Sequence, residues 1–175
     1  MSDLIDAIHR LRSPRKLLQV AEAAKQRMAD LGFSSGATDL VGQYAELLVK
    51  THFGARRSAN CTAGCDLVTN NGLKIEVKGR LARRDGYVPR TDIRSTTVDG
   101  HQFDYLVYVV FRRDYRIERA YGIPIHVFKK IASLVQHNNS LPKWRFRATV
   151  DLLAAPGVDD LTADLQKIHK INTVE

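Results

Sequence analysis

The chain has 175 residues, 44% hydrophobic and 26% charged, a balance that suits one globular domain with a full core. No apolar run approaches the ~20 residues of a membrane-spanning helix, and the opening MSDLIDAIHR has no signal-peptide core, so a cytoplasmic protein without a membrane partner is expected. A net charge of +8 favours a polyanionic partner, because Lys and Arg supply most of the non-specific affinity for nucleic acid.

Residues 3–12 and 14–31 read as two helices, the second opened by Ser13-Pro14 and closed by Gly32. Together they make an N-terminal helical extension over residues 1–36, expected to pack on a core domain at 37–175. A third helix, capped by Thr38 or Asp39, ends near Gly54. Leu40, Val41, Tyr44, Leu47 and Leu48 form its apolar stripe, which Ala45 and Val49 widen. Glu46 falls outside the stripe, beside Gly42 and near Gln43. From that rim it either projects an acid into a cleft or simply faces solvent.

Strands are expected near 56–61, 65–69 and 73–79, then near 104–111 and 115–122. Pro124 starts a helix that runs to about Val135. Lys143–Val150 alternates basic and aromatic residues and reads as a late edge strand with one basic face; the alternative is a base-stacking or backbone-tracking surface. A last helix from Asp159 to Lys170 sets Leu161, Leu165 and Ile168 on one side. No repeat, low-complexity tract or internal linker interrupts the chain.

The segment Cys65–Lys78, CDLVTNNGLKIEVK, carries the clearest chemistry. Leu67-Val68 and Leu73–Val77 are strand-like, and the loop Asn70-Asn71-Gly72 suits a type I turn followed by a left-handed glycine. That loop pairs Thr69 with Leu73 and sets Asp66 opposite Glu76. With period two, Asp66, Glu76 and Lys78 then share one face, while Leu67, Ile75 and Val77 enter a core. A two-residue Asn71-Gly72 turn would slip the pairing and scatter the group. Two carboxylates so close raise one another's pKa unless a cation lies between them. Mg²⁺, which takes one or two carboxylates plus water and phosphate oxygens, suits Asp66 and Glu76. The plainer reading is a solvated hairpin face with a Glu/Lys pair.

Arg80, Arg83, Arg84, Arg90 and Arg94 follow that strand in a stretch with Gly86, Pro89 and little periodicity, a basic loop placed to grip phosphates. Arg112, Arg113, Arg116 and Arg119 alternate with apolar residues and read as a solvated strand face. Cys61 and Cys65 are spaced C-x3-C, but His52 is the only nearby third zinc ligand, so small packed side chains are the better account. The six histidines are scattered, none at a nucleophile's spacing, and His101-Gln102 reads as part of a polar turn at Asp99-Gly100.

Asp66, Glu76, Val77 and Lys78 resemble the PD-(D/E)xK nuclease superfamily, whose fold is called restriction-endonuclease-like. Gly42–Val49 (GQYAELLV) is similar to the G-x-x-(G/A)-E-x-(L/V) helix that supplies a further acid in many members, and Phe103–Phe111 is similar to the strand after E-x-K. The resemblance covers about residues 38–128 and is strongest over 42–80; Cys65 stands where the family name has proline. It implies an α/β fold with a mixed central sheet flanked by helices, plus the extra N-terminal helices. It also implies metal-dependent hydrolysis of DNA phosphodiester bonds, with Asp66, Glu76, the Val77 carbonyl and Glu46 around Mg²⁺, or Mn²⁺ as substitute. Lys78 would orient the attacking water. A double-strand cutter with one site per chain is expected to form a homodimer, whereas a nickase need not. The competing readings are a nucleic-acid-binding or assembly module without its own cleavage, and an RNA-processing nuclease.

Overall fold

The structure is a computed structural model that describes residues 2–31, 39–58, 64–83, 87–136, 140–149, 152 and 154–171. It divides into two compact units, Met1–Asp39 and Leu40–Glu175. The first holds helices α1 (Ser2–Arg10) and α2 (Pro14–Asp30). The Ser13 hydroxyl accepts from the Lys16 amide at 3.4 Å, and Pro14 at the first helical position forfeits no hydrogen bond, because that amide has no partner inside a helix. Gly32 and Thr38, expected as boundary residues, lie outside the described residues. No described helix is long and apolar enough to cross a membrane.

In chain order the second unit contains α3 (Leu40–Phe53), β1 (Arg56–Arg57), β2 (Leu67–Val68), β3 (Lys74–Leu81), β4 (Thr91–Arg94) and α4 (Ser95–Asp99). Then come β5 (Tyr105–Phe111), β6 (Ile117–Pro124), α5 (Ile125–Ile131), β7 (Ser133–Val135), β8 (Lys143–Phe146), β9 (Asp159–Asp160) and α6 (Thr162–Ile171). One sheet has six strands in the order β1-β2-β3-β5-β6-β9; a second has three, in the order β4-β8-β7. β3 and β5 run parallel and the other pairings of the large sheet are antiparallel, so it is a mixed sheet in an α/β unit. A parallel pair requires a crossover, and the segment bearing β4 and α4 supplies it.

Because β5 is buried on both faces, its sequence YLVYVVF runs apolar without a polar alternate. Val107, Val109 and Phe111 join one core with Ala45, Leu48 and Val49 of α3 and Leu165 of α6. Leu106, Tyr108 and Val110 join the other, with Val98, Phe103, Val127, Phe128 and Phe146. The large sheet is thus covered by α3 and α6 on one face, and by α4, α5 and the small sheet on the other.

Several expectations change. The helix after Pro124 stops at Ile131, where Ala132 turns extended (ψ 157°), and Ser133–Val135 becomes a strand. The Lys143 strand is not an edge: β8 is the middle strand of the small sheet, with β4 on one side and β7 on the other. The last helix starts at Thr162, because Asp159–Asp160 adds a short edge strand to β6 and the Asp160 carboxylate then accepts from the Thr162 amide at 2.9 Å. Arg112, Arg113 and Arg116 occupy the β5–β6 turn, closed by the Arg112 amide on the Arg116 carbonyl at 2.8 Å, and are not on a strand face.

Candidate active site

The β2–β3 ladder fixes the geometry. Leu67 pairs with Ile75 and Val68 with Lys74. The Thr69 amide donates to the Leu73 carbonyl and the Gly72 amide to the Thr69 carbonyl, both at 3.0 Å, which is the three-residue loop and its register. Side chains assist: the Thr69 hydroxyl donates to the Asn71 side-chain carbonyl and accepts from the Leu73 backbone amide at 3.0 Å. Gly72 sits at φ +86° with open space where a Cβ would go, so only backbone strain opposes substitution there. Gly72→Ala is therefore expected to lower stability by about 1–2 kcal/mol, read as a lower urea midpoint with an unchanged slope.

β2 pairs with β3 only as far as Leu67, so among the described residues no strand covers that side of β3 from Val77 onward. Asp66 fills the gap. Its amide donates to the Ile75 carbonyl at 3.0 Å, and its carboxylate accepts from the Val77 amide at 2.7 Å, where a strand carbonyl would otherwise stand. Two bonds to β3 thus hold this acid beside the strand that carries Glu76.

Leu67, Ile75 and Val77 are buried in the core under α3, as the alternation requires. Glu76 and Lys78 take the opposite face, and the Lys78 ammonium donates to the Glu76 carboxylate at 2.5 Å. Glu76 is only 5% exposed, so its charge must be compensated. Burial pushes the Glu76 carboxyl above its ordinary value; Lys78 pulls it down, and the Asp66 carboxylate, within hydrogen-bonding reach, pushes it up again. The hairpin therefore gathers two acids and one ammonium.

Glu46 arrives from α3. Gly79 faces this helix, and its missing side chain lets the Val41 carbonyl and Ala45 sit directly on β3. The helix is consequently rotated relative to the expected stripe: Ala45 and Val49 are fully buried, whereas Leu47 is only half-buried. That rotation brings the neighbouring Glu46 to the rim of the buried arc. Its carboxyl is raised first by burial and next by Asp66; Arg57 and Lys78 lower it, and Glu76 raises it slightly. All three hairpin groups thus lie within electrostatic range of Glu46. Arg57 of β1, which the sequence did not single out, holds it at 3.5 Å. Both partners are partly exposed, and a pair of that kind contributes at most about 1 kcal/mol, a weak latch.

Glu76 and Lys78 open onto a cleft of about 250 Å³, also lined by Gly64, Asp92, Ile93, Arg94 and Thr97. β4 and α4 form that wall. Its sequence signal was the four-residue alternation Thr91-Asp92-Ile93-Arg94, buried-exposed-buried-exposed, which Gly86 and Pro89 just upstream disguised as loop. Of the candidate phosphate-gripping arginines, Arg94 lines the cleft, and Arg80 follows Lys78 on the same face of β3, donating to the Gly79 carbonyl at 2.7 Å. Arg83 lies with its guanidinium 5.5 Å from the centre of the Tyr87 ring, and Arg90 is exposed. Arg84 and Cys61 fall outside the described residues. The Cys65 thiol donates to the Leu67 carbonyl at 3.1 Å, and burial raises its pKa, as for a packed, unreactive thiol.

Among the described residues no three or more His, Cys, Asp or Glu side chains gather into a ready metal cage. Asp66 and Glu76 form a pair of acids, with Glu46 within electrostatic range. No family model matches the chain, and no curated protein matches it as a relative.

Proposed function

We propose that the protein is a metal-dependent DNA endonuclease of the PD-(D/E)xK type, built on a restriction-endonuclease-like version of its mixed sheet. The observation that carries the reading is the register of the β2–β3 hairpin: it aims Asp66 at the Val77 amide and at Glu76, with Lys78 already bonded to Glu76. Two carboxylates and a single ammonium leave an excess of negative charge in a partly buried spot, and a cation offsets that excess. Mg²⁺ fits this donor set because it takes one or two carboxylates and fills its remaining positions with water and phosphate oxygens. Asp66 and Glu76 would hold it, with the Val77 carbonyl and Glu46 completing the group, and Mn²⁺ would substitute. When bound, the metal supplies a Lewis acid and a lowered pKa for water.

The chain's own groups do the rest. The Val77 amide keeps the Asp66 carboxylate at the edge of β3, beside Glu76. Lys78, on a strand rather than a loop, orients a water and stabilises charge on the phosphate being attacked. Glu46 supplies a further acid whose hold on Arg57 is weak enough to release. The basic balance of the chain favours a polyanion, and DNA is the one proposed.

The test is a screen of the purified full chain against supercoiled, linear, branched and single-stranded DNA, with matched RNA, in Mg²⁺ or Mn²⁺. Nicking or cutting of at least one DNA form that disappears on adding EDTA is the expected result. Intact DNA in every form and with either metal sinks the proposal.

A further inference from the structure

The outer face of the small sheet carries a charge arrangement beyond the proposed hydrolytic group of Glu46, Asp66, Glu76 and Lys78. Along β8, Trp144 and Phe146 turn inward to the core while Lys143 and Arg145 turn outward. Across the β4–β8 ladder, Asp92 stands opposite Arg145, and Arg94 opposite Lys143. The first of these pairs closes on itself: Arg145 binds both Asp92 carboxylate oxygens at 2.9 Å. The second sets two exposed cations directly across from each other. Like charges at opposed positions destabilise a ladder, so the pairing calls for an anion.

Among the described residues, no acid on the surrounding elements supplies one. Asp92 is taken by Arg145, and Asp99 by Lys129 at 3.4 Å and by the Trp144 indole N–H at 3.3 Å. Glu76 is taken by Lys78. Among the described residues neither Arg94 nor Lys143 makes an ion pair.

Arg94 also lines the cleft into which Glu76 and Lys78 open. We infer that Arg94 and Lys143 form a two-cation clamp for a backbone phosphate of duplex DNA, next to the phosphate cleaved at the hairpin. The position of that second phosphate rests on the nuclease reading; the clamp itself rests only on the ladder register and the charge count. A guanidinium and an ammonium from adjacent strands, with Cβ atoms about 4.5–5.5 Å apart, suit one phosphate group shared between them. The Asp92–Arg145 pair beside them contributes no net charge and bounds the clamp on that side.

The experiment measures affinity of the full chain for a fluorescent duplex in EDTA, across a salt series, for wild type, Arg94→Ala/Lys143→Ala and Arg112→Ala/Arg113→Ala. The last variant removes two exposed arginines from the β5–β6 turn. The clamp variant is expected to bind about tenfold more weakly at low salt, with the slope of log K against log salt smaller by about 1, because the one phosphate shared by the two cations is lost. The turn variant should stay near wild type. Wild-type affinity in the clamp variant, an equal loss in the turn variant, or no binding by wild type overturns the clamp. Cleavage is read separately with Mg²⁺. Clamp-dependent binding without cleavage would remove the nuclease reading and keep the clamp; cleavage by wild type, with full affinity in the clamp variant, would do the reverse.

Discussion

Lys78→Ala is expected to slow Mg²⁺-dependent DNA cleavage by roughly 10²–10⁴, the range for losing a positioned proton-handling or charge-stabilising group. The same substitution strips Glu76 of its ion-pair partner, and a buried carboxylate left alone destabilises a fold or takes up a proton. A drop in activity alone therefore does not separate chemistry from folding. The double variant Lys78→Ala/Glu76→Gln does so. It leaves no unpaired charge at the buried position 76, so its thermal stability should return toward wild type while cleavage stays lost. Asp66→Asn makes the matching test on the other acid. Its side-chain oxygen can still accept from the Val77 amide, so the hairpin should hold its register, yet the metal loses a charged ligand and cleavage should disappear. Much of the DNA affinity should remain in each variant, because the flanking cations are untouched. Wild-type cleavage by Lys78→Ala or Asp66→Asn refutes the site.

The hairpin was legible because its determinants are local. Asn70-Asn71-Gly72 dictates the loop, the loop dictates the register, and period-two alternation then sorts Asp66, Glu76 and Lys78 from Leu67, Ile75 and Val77. The small sheet was not legible. Its strands are three or four residues long, and β4 pairs with β8 some fifty residues downstream, the Asp92–Arg145 bond spanning 53 positions. Nothing local announces such a pairing, and Gly86 and Pro89 argued for loop. Lys143–Phe146 showed its basic and aromatic alternation plainly, but its place in the middle of a sheet depended on partners that could not be seen from its own residues. The rotation of α3 lies between these cases. The apolar stripe was visible, yet a set of seven apolar residues left the centre of the buried arc undetermined, and a glycine on another element decided it.

That glycine is the basis for the second large expected effect. A methyl group at Gly79 would stand 2.6 Å from the Val41 carbonyl oxygen and 3.0 Å from the Ala45 Cβ. The first contact is with backbone inside a helix, so no side-chain rotation relieves it; α3 must move away from β3. Overpacking of this kind costs about 1–3 kcal/mol, and Gly79→Ala should melt correspondingly earlier. The displacement acts on the site as well, because Ala45 and Glu46 are consecutive on the helix that has to lift. Glu46 then withdraws from Asp66, Lys78 and Glu76 although every acid is still present in the chain. Cleavage by Gly79→Ala, measured well below its melting temperature, is expected to fall to the level of Glu46→Gln, and combining the two should add little further loss, since both remove the same group. A destabilised Gly79→Ala that cleaves at the wild-type rate, beside an impaired Glu46→Gln, would mean that close packing of α3 on β3 does not set the position of Glu46. Equal, full activity in both variants would remove Glu46 from the site and leave the hairpin acids to hold the metal alone.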